Sequence, residues 1–355
     1  MTIHQFKNII EEGDLVILYF SPVSYHTLVI ESGKDFHNKY GSYKLSEFIG
    51  KEYGSKIASH KGKGFGYLLH PTPEWWSLVL NHRTQILYQP DISLISSFLN
   101  LKPGVKVIES GTGSGSFSHS IARAIAPTGH LYSFEYHEER SKIARQEFLD
   151  HGLSDYITVN HRDVCQNGFD MEDEVDAVFL DLPAPWSAIE SAKKALKKNS
   201  LGRICCFSPC IEQVQRTCIT LNEQGFNDIS TYEVLTRNHE LRILPQPSVE
   251  EAIEFLKEKK LRAKAQSKRD FKGNAKKSDA EESQGNTTEA DEDNKEATGP
   301  VKNLAPMIAT SKPFATARGH TSYLTFAMLP PQLPVEDEDI TKAEETNEAV
   351  EEVQA

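Results

Sequence analysis

Three glycines interleaved with serine and threonine, Ser110-Gly111-Thr112-Gly113-Ser114-Gly115-Ser116, follow a strand-like Val105 to Glu109 and lead into a helical stretch from Phe117. Glycines there allow positive φ and close backbone approach, and the free N–H groups of the helix start suit a carboxylate or phosphate acceptor. Glu135 ends the next strand-like segment, 22 residues after Gly113. A carboxylate in that position accepts hydrogen bonds from both hydroxyls of a ribose, a role shared by NAD and S-adenosylmethionine sites. The dinucleotide fingerprint is GxGxxG/A, whereas the spacing here is GxGxG with Ser116 at the third glycine position, so the match to NAD is imperfect. Asp163, in His161-Arg162-Asp163-Val164, is placed either to accept from an exocyclic adenine amine or to cap a helix. Arg140, in the first turn of a following helix, is within reach of Glu135 or the cofactor, or is an ordinary surface arginine.

A second group stands at the end of a later strand, Asp181-Leu182-Pro183-Ala184-Pro185-Trp186. Two prolines stiffen the loop, which holds one carboxylate and one large ring at the sheet edge where α/β proteins bind ligands. Such a carboxylate suits methyl transfer to adenine N1, which is nucleophilic without deprotonation and becomes part of a cation. Asp181 accepting from N6–H stabilises that cation more than the neutral base. Trp186 is expected to wall the base pocket, the alternative being a core ring. The stretches His70-Pro71-Thr72-Pro73-Glu74-Trp75-Trp76 and His82-Arg83-Thr84-Gln85-Ile86-Leu87-Tyr88-Gln89 approach from another side. Gln85 is suited to a base edge and Tyr88 to stacking, while Trp75 and Trp76 read as core.

The elements that must hold these groups follow from periodicity. Residues 14 to 69 alternate short apolar segments with Gly, Ser and Asn turns, which predicts a small all-β domain over 1–70. Residues 71–100 then form a linker lining the site. From Leu101, strand-like Val105 to Glu109, Leu131 to Glu135, Ile157 to Val159, Ala177 to Asp181 and Arg203 to Phe207 alternate with amphipathic helices, which predicts a mostly parallel α/β sheet. Ser322 to Met328 returns as a last strand, expected to pair as the antiparallel edge. The α/β domain therefore spans 101–256 and 313–330, with a disordered charged insertion at 257–312 and an acidic disordered tail at 331–355.

The chain has 355 residues and a formal net charge of −12, unevenly spread. Residues 278–296 carry −7, residues 335–355 carry −8 and residues 257–277 carry +8, leaving −5 for the remainder. The acidic stretches have too few apolar residues to offset the entropy of ordering. The basic segment reads as a nuclear-import signal or RNA-contacting arm, or as the soluble end of a helix. No apolar run is long enough for a membrane span, and Met1 to Glu12 does not read as a signal peptide. Five cysteines without a CxxC pair read as free, mostly buried thiols, and no metal is expected.

The segments HPTPEWW, HRTQILYQPDIS, ESGTGSGSFSHSIARAIAPTGHLYSFE, RDVCQNGF, DAVFLDLPAPW, FSPCIEQVQRTC and GHTSYLTF closely resemble the catalytic subunits of eukaryotic tRNA (adenine-58-N1)-methyltransferases. They cover residues 14–256 and 319–329, and the charged insertion is the one departure. The resemblance implies a class I methyltransferase fold (Rossmann-like, with an antiparallel last strand) behind an N-terminal β-barrel-like domain. It further implies S-adenosylmethionine as donor, the T-loop adenine of tRNA as target, a noncatalytic partner subunit in a dimer of heterodimers, and nuclear location. By the same resemblance Leu87, Gly111, Gly113, Ser114, Gly115, Ser116, Glu135, Arg140, Asp163 and Val164 contact the cofactor and Asp181 is the catalytic carboxylate. Gln85, Tyr88, Pro183, Trp186 and His320 are then candidates for the RNA substrate. A NAD-dependent enzyme would leave Asp181 to Trp186 unexplained, and a degenerate tRNA-binding subunit would have lost the glycine loop and the carboxylate. A methyltransferase for protein or small molecules remains open, because the sheet does not specify the acceptor.

Overall fold

The computed structural model describes residues 7–332 other than 61–63, 82, 238, 246–248, 250–252, 262–306 and 314–320. The first strands are β1 (Leu15–Ser21), β2 (Ser24–Val29), β3 (Asp35–Asn38), β4 (Gly41–Lys44), β5 (Lys56–Ala58) and β6 (Phe65–Leu69). Four of them form an antiparallel sheet in the order β2-β1-β6-β5, and β3 pairs with β4 as a separate hairpin. Their inward residues, among them Val16, Leu18, Phe48 and Leu68, make a core distinct from those of the larger sheet.

The stretch expected as a linker contains two helices, α1 (Pro73–Val79) and α2 (Gln89–Phe98), each with proline in its first turn, where no N–H is required. Trp75 and Trp76 of α1 face opposite ways. Trp75 meets Tyr19 and Tyr25 of the β domain edge-on at 5.4 and 5.8 Å, and Trp76 meets His119 and His151 of the α/β domain at 5.6 and 4.6 Å. Glu74 and Arg123 add an ion pair beside them.

The α/β domain continues with β7 (Lys106–Ser110), α3 (Ser116–Ile125), β8 (His130–Glu135), α4 (Glu138–Asp150), β9 (Ile157–His161), α5 (Val164–Asn167), β10 (Ala177–Asp181), α6 (Ile189–Ala195), β11 (Gly202–Ser208), α7 (Ile211–Glu223) and β12 (Asn227–Tyr232). After β13 (His239–Pro245) and β14 (Met307–Pro313) comes β15 (Tyr323–Leu329). The seven-stranded sheet runs β12-β15-β11-β10-β7-β8-β9, parallel from β11 to β9. The last strand is antiparallel to both of its neighbours, β11 and β12, so that β12 and β15, the two strands on either side of the long insertion, make the antiparallel edge of the otherwise parallel sheet, with β15 the inner of the two.

Strand alternation sends successive residues to opposite faces. Val107, Phe179 and Cys205 enter one core and Ile108, Val178 and Cys206 the other. The adjacent cysteines are therefore separated by the sheet itself. All five thiols are free; two are buried, two are partly buried and Cys210 is exposed.

Residues 236–318 form a second compact unit, within which β13 and β14 pair antiparallel from His239↔Pro313 to Pro245↔Met307 and residues 253–261 are helical and exposed. Residues 257–261 and 307–312, at the two ends of the segment expected as a disordered insertion, are thus helix and strand, and the unit begins at 236 and ends at 318 where the boundaries were expected at 256 and 313. Strands whose partners lie more than sixty residues apart, beside a charged low-complexity run, leave little local signal. The remainder of the insertion, 262–306, and the tail from 333 lie outside the described residues. Among the described residues no helix is long and apolar enough to cross a membrane.

Candidate functional site

Strands β7 and β10 are neighbours, yet the chain leaves one toward β8 and the other toward β11. Their carboxyl ends therefore open a crevice at the switch point, where this class of sheet binds ligands. Gly111 (φ +98°) approaches Asp181 so closely that a Cβ would overlap the Asp181 carbonyl oxygen. A Cβ on Gly113 (φ +54°) would stand 2.6 Å from Thr84 Oγ1. Gly111→Ala should therefore cost about 1–3 kcal/mol through overpacking, with ~1–2 kcal/mol more for the left-handed backbone. The expected result is a lower melting temperature together with weakened cofactor binding, both readable by calorimetry.

The serines of the loop line the crevice and also bond to the segment before it. Ser114 Oγ accepts from the backbone N–H groups of Arg83 (2.9 Å) and Thr84 (3.1 Å), and Ser116 Oγ donates to the Leu87 carbonyl (3.1 Å). Their side chains hold the segment 83–87 against the glycine loop, so that Leu87 and Gln85 border the crevice. Ser114 and Ser116 themselves line the crevice, so this positioning role stands beside the cofactor contact expected of them.

Glu135 is 2% exposed. Its Oε2 accepts from Gly113 N–H (3.0 Å), and its Oε1 accepts from His137 N–H (3.0 Å) and from Arg140 Nε (3.0 Å) and Nη2 (2.7 Å). Arg140 is therefore the partner of Glu135, one of the two roles its position allowed. A carboxylate has about four acceptor sites, and four bonds are already made here, three at Oε1 and one at Oε2. The orientation of Glu135 is thus fixed, and Oε2, with its single partner, is the oxygen left to a ligand hydroxyl. Asp163 Oδ1 accepts from Cys165 N–H (3.0 Å) and Gln166 N–H (3.3 Å), capping α5. Asp163 also borders the crevice beside Val164, so capping and ligand contact are compatible.

Two cavities meet here. One, of about 510 Å³, lies between the glycine loop, Glu135 and Asp163. The other, of about 520 Å³, lies between Tyr88, Asp91, Gln213 and Ser322. Gln85, Leu87, Asp181 and Pro183 border both. Asp181 thus stands at the wall between them, its carboxyl pushed up to about 7 by burial and by the charge of Glu135. Glu109, behind it, is also pushed up to about 7, chiefly by burial, although Ser118 and Ser133 donate to its Oε2 at 2.6 Å each. The sequence reading missed Glu109, since a strand-end glutamate gives no sign of being enclosed by two helix and strand serines.

Trp186 borders neither cavity. It packs against the core on one face of the sheet, with the Arg216 guanidinium 5.3 Å from its ring centre. The expectation that it walls the base pocket is corrected: Pro185 begins a short 3-10 turn that carries the ring away from the crevice. His320 lies outside the described residues. Among the described residues, His119, Glu147 and His151 bring possible metal-ligand atoms within 4.8 Å of one another. Hydrogen bonding accounts for the group. His119 Nδ1 donates to the Gly115 carbonyl (2.6 Å), its Nε2 faces His151 Nδ1 (2.8 Å), and Arg83 pairs with Glu147 (2.5 Å). Burial pushes His151 down to about 4, which keeps it neutral.

A parallel sheet with an inserted antiparallel strand, a glycine crevice backed by a ribose-type carboxylate, and a second cavity across one aspartate define a Rossmann-like methyltransferase. Solved structures agree on the fold. A SAM-dependent O-methyltransferase from Thermotoga maritima is 27% identical, with a TM-score of 0.66 over 92% of this chain and 96% of its own. The tRNA (m1A58) methyltransferase of Aquifex aeolicus is 21% identical, with a TM-score of 0.62 over 92% and 100%. Residues 64–329 match the family described as tRNA methyltransferase complex GCD14 subunit, and the chain belongs to that family. The tRNA (adenine(58)-N(1))-methyltransferase catalytic subunit of Dictyostelium discoideum is 45% identical over 332 residues, 90% of this chain and 97% of that protein.

Proposed function

We propose that this chain transfers a methyl group from S-adenosylmethionine to N1 of adenine 58 in tRNA, as the catalytic subunit of a complex. The observation that carries this reading is the place of Asp181 on the wall shared by two cavities, one suited to a nucleoside donor and the other free for the acceptor. The first cavity fits the donor. Its volume falls in the usual range for small-ligand sites, about 300–1,000 Å³, glycines leave room along one side, and Oε2 of buried Glu135, with a single partner, is the oxygen left to a ribose hydroxyl. When bound, S-adenosylmethionine supplies an electrophilic methyl group whose carbon–sulfur bond breaks as the base nitrogen bonds to carbon.

The protein's own contribution is orientation and charge. Glu135 and Asp163 anchor the two ends of the nucleoside, and the segment 83–87, held by Ser114 and Ser116, closes the cavity beside Asp181. Asp181 accepts from the N6–H of the base and is attracted more strongly as the ring becomes cationic. Tyr88 and Gln85 border the acceptor cavity and are suited to stacking on the base and to bonding its edge. The test is nucleoside analysis of tRNA treated with the purified chain and its copurifying proteins. 1-Methyladenosine at position 58 is expected; methyl label on protein and not on tRNA would refute the reading.

Charge supports a more basic noncatalytic subunit as partner, in the dimer of heterodimers that the family resemblance implies. Outside the tails and the basic stretch the chain carries −5, a poor platform for RNA phosphates. The isolated chain is expected to bind tRNA weakly, and the complex tightly and with steep salt dependence, in filter binding at two salt concentrations. Tight, salt-steep binding by the chain alone would shift the phosphate contacts to residues 257–277. The ten bases of that stretch also support nuclear import, which its deletion from a fluorescent fusion should abolish.

A further inference from the structure

Asp91 has no part in the scheme above, yet it is a charged-type residue only 8% exposed, in the first turn of α2, at the border of the acceptor cavity. Its Oδ1 is enclosed and has no hydrogen-bond partner among the described residues. An ionised carboxylate spreads its charge over both oxygens, so enclosing one of them without a partner is costly. A neutral acid meets the situation better, with the enclosed Oδ1 as the carbonyl oxygen and the hydroxyl on Oδ2. Burial pushes the Asp91 carboxyl up from its ordinary value, in keeping with that form.

On the proposed function given above, N1 of the acceptor adenine faces the donor and N6 meets Asp181. The next polar atom round the ring from N1 past N6 is N7, which only accepts hydrogen bonds. We propose that Asp91 is a further contact to the acceptor base, its carboxyl acting as hydrogen-bond donor to the purine N7. The cavity then holds two aspartates in opposite roles, Asp181 accepting from the amine and Asp91 donating to the neighbouring ring nitrogen. This pairing distinguishes adenine from a pyrimidine, which has no N7.

The test uses the tagged full-length chain with its copurifying proteins, acting on full-length tRNA that carries adenosine or 7-deazaadenosine at position 58. The readout is the ratio of kcat/KM for the two substrates, measured for the unaltered enzyme, Asp91→Leu and Asp91→Asn. Because each ratio is internal to one enzyme, a loss of folded protein and the altered basicity of N1 in the analogue both cancel in the comparison. The unaltered enzyme is expected to favour adenosine about 10-fold more than Asp91→Leu does, the value of one hydrogen bond in a desolvated site. Asp91→Asn, whose amide still donates, should recover that preference. Equal ratios for all three enzymes would overturn the proposal alone, whereas absence of N1-methylation by the unaltered enzyme would overturn the functional reading and this contact with it.

Discussion

Replacing Asp181 by alanine is expected to lower the rate of methyl transfer by about 10²- to 10³-fold, the usual loss for a preorganised electrostatic contact to developing charge. Cofactor affinity should stay within a few-fold, because Glu135 and Asp163 hold the nucleoside at the other side of the first cavity. Single-turnover kinetics separates the two effects, and near-normal turnover would remove Asp181 from the reaction. The raised carboxyl adds a pH signature. With an ionisation near 7 in the free enzyme, kcat/KM for tRNA should climb as pH rises through about 7, and Asp181→Asn should lose that limb of the profile. The stability consequence has the opposite sense. The unfolded chain releases this proton near pH 4, whereas the folded chain holds it to about 7, so ionisation opposes folding across that interval. Asp181→Asn should accordingly be more stable than the unaltered chain at pH 8, with the gap closing as pH falls toward 4.

Glu135→Ala is expected to act on binding and not on chemistry. The substitution removes an acceptor of the ribose hydroxyls and also strands the Gly113 N–H and the Arg140 guanidinium, which now point at Glu135. Loss of charge-assisted hydrogen bonds of this kind amounts to about 1.5–3 kcal/mol, so the dissociation constant for S-adenosylmethionine should rise by about one to two orders of magnitude. Titration calorimetry gives the number. Glu135→Gln keeps one acceptor but cannot pair fully with Arg140, and should fall between the two. An unchanged affinity in Glu135→Ala would mean that the first cavity takes a different ligand.

Much of this site was legible because its parts are local. A glycine run between a strand and a helix, a carboxylate at the end of the next strand and a proline-stiffened turn after Asp181 are patterns of consecutive residues, and each stands where periodicity put it. The helical stretch expected from Phe117 begins at Ser116 and runs to Ile125. What escaped depended on partners far along the chain. That Ser114 and Ser116, besides lining the crevice, hold the segment 83–87 shows only once that segment is seen folded against them. Trp186 looks like a pocket wall until its turn is known, and neither Glu109 nor Asp91 shows burial in its neighbours. The seven-residue pairing of β13 with β14 was hidden for the same reason: alternation over so short a span becomes informative only when its partner, across the charged segment, is known.

The place of β15 bears on how the chain comes to be folded. This strand fills the gap between β11 and β12, so at translation β12 emerges roughly ninety residues before the strand that joins it to the sheet. Until then β11 ends the growing sheet with an unpaired edge that can template wrong pairing. Closing the long loop adds only a logarithmic entropy penalty, about 0.6 kcal/mol per doubling of its length, so the detour through residues 236–318 delays completion far more than it weakens the product. A ribosome stalled or a message truncated just before Tyr323 would release a chain with the whole crevice encoded and its sheet still open, a natural client for chaperones and proteases.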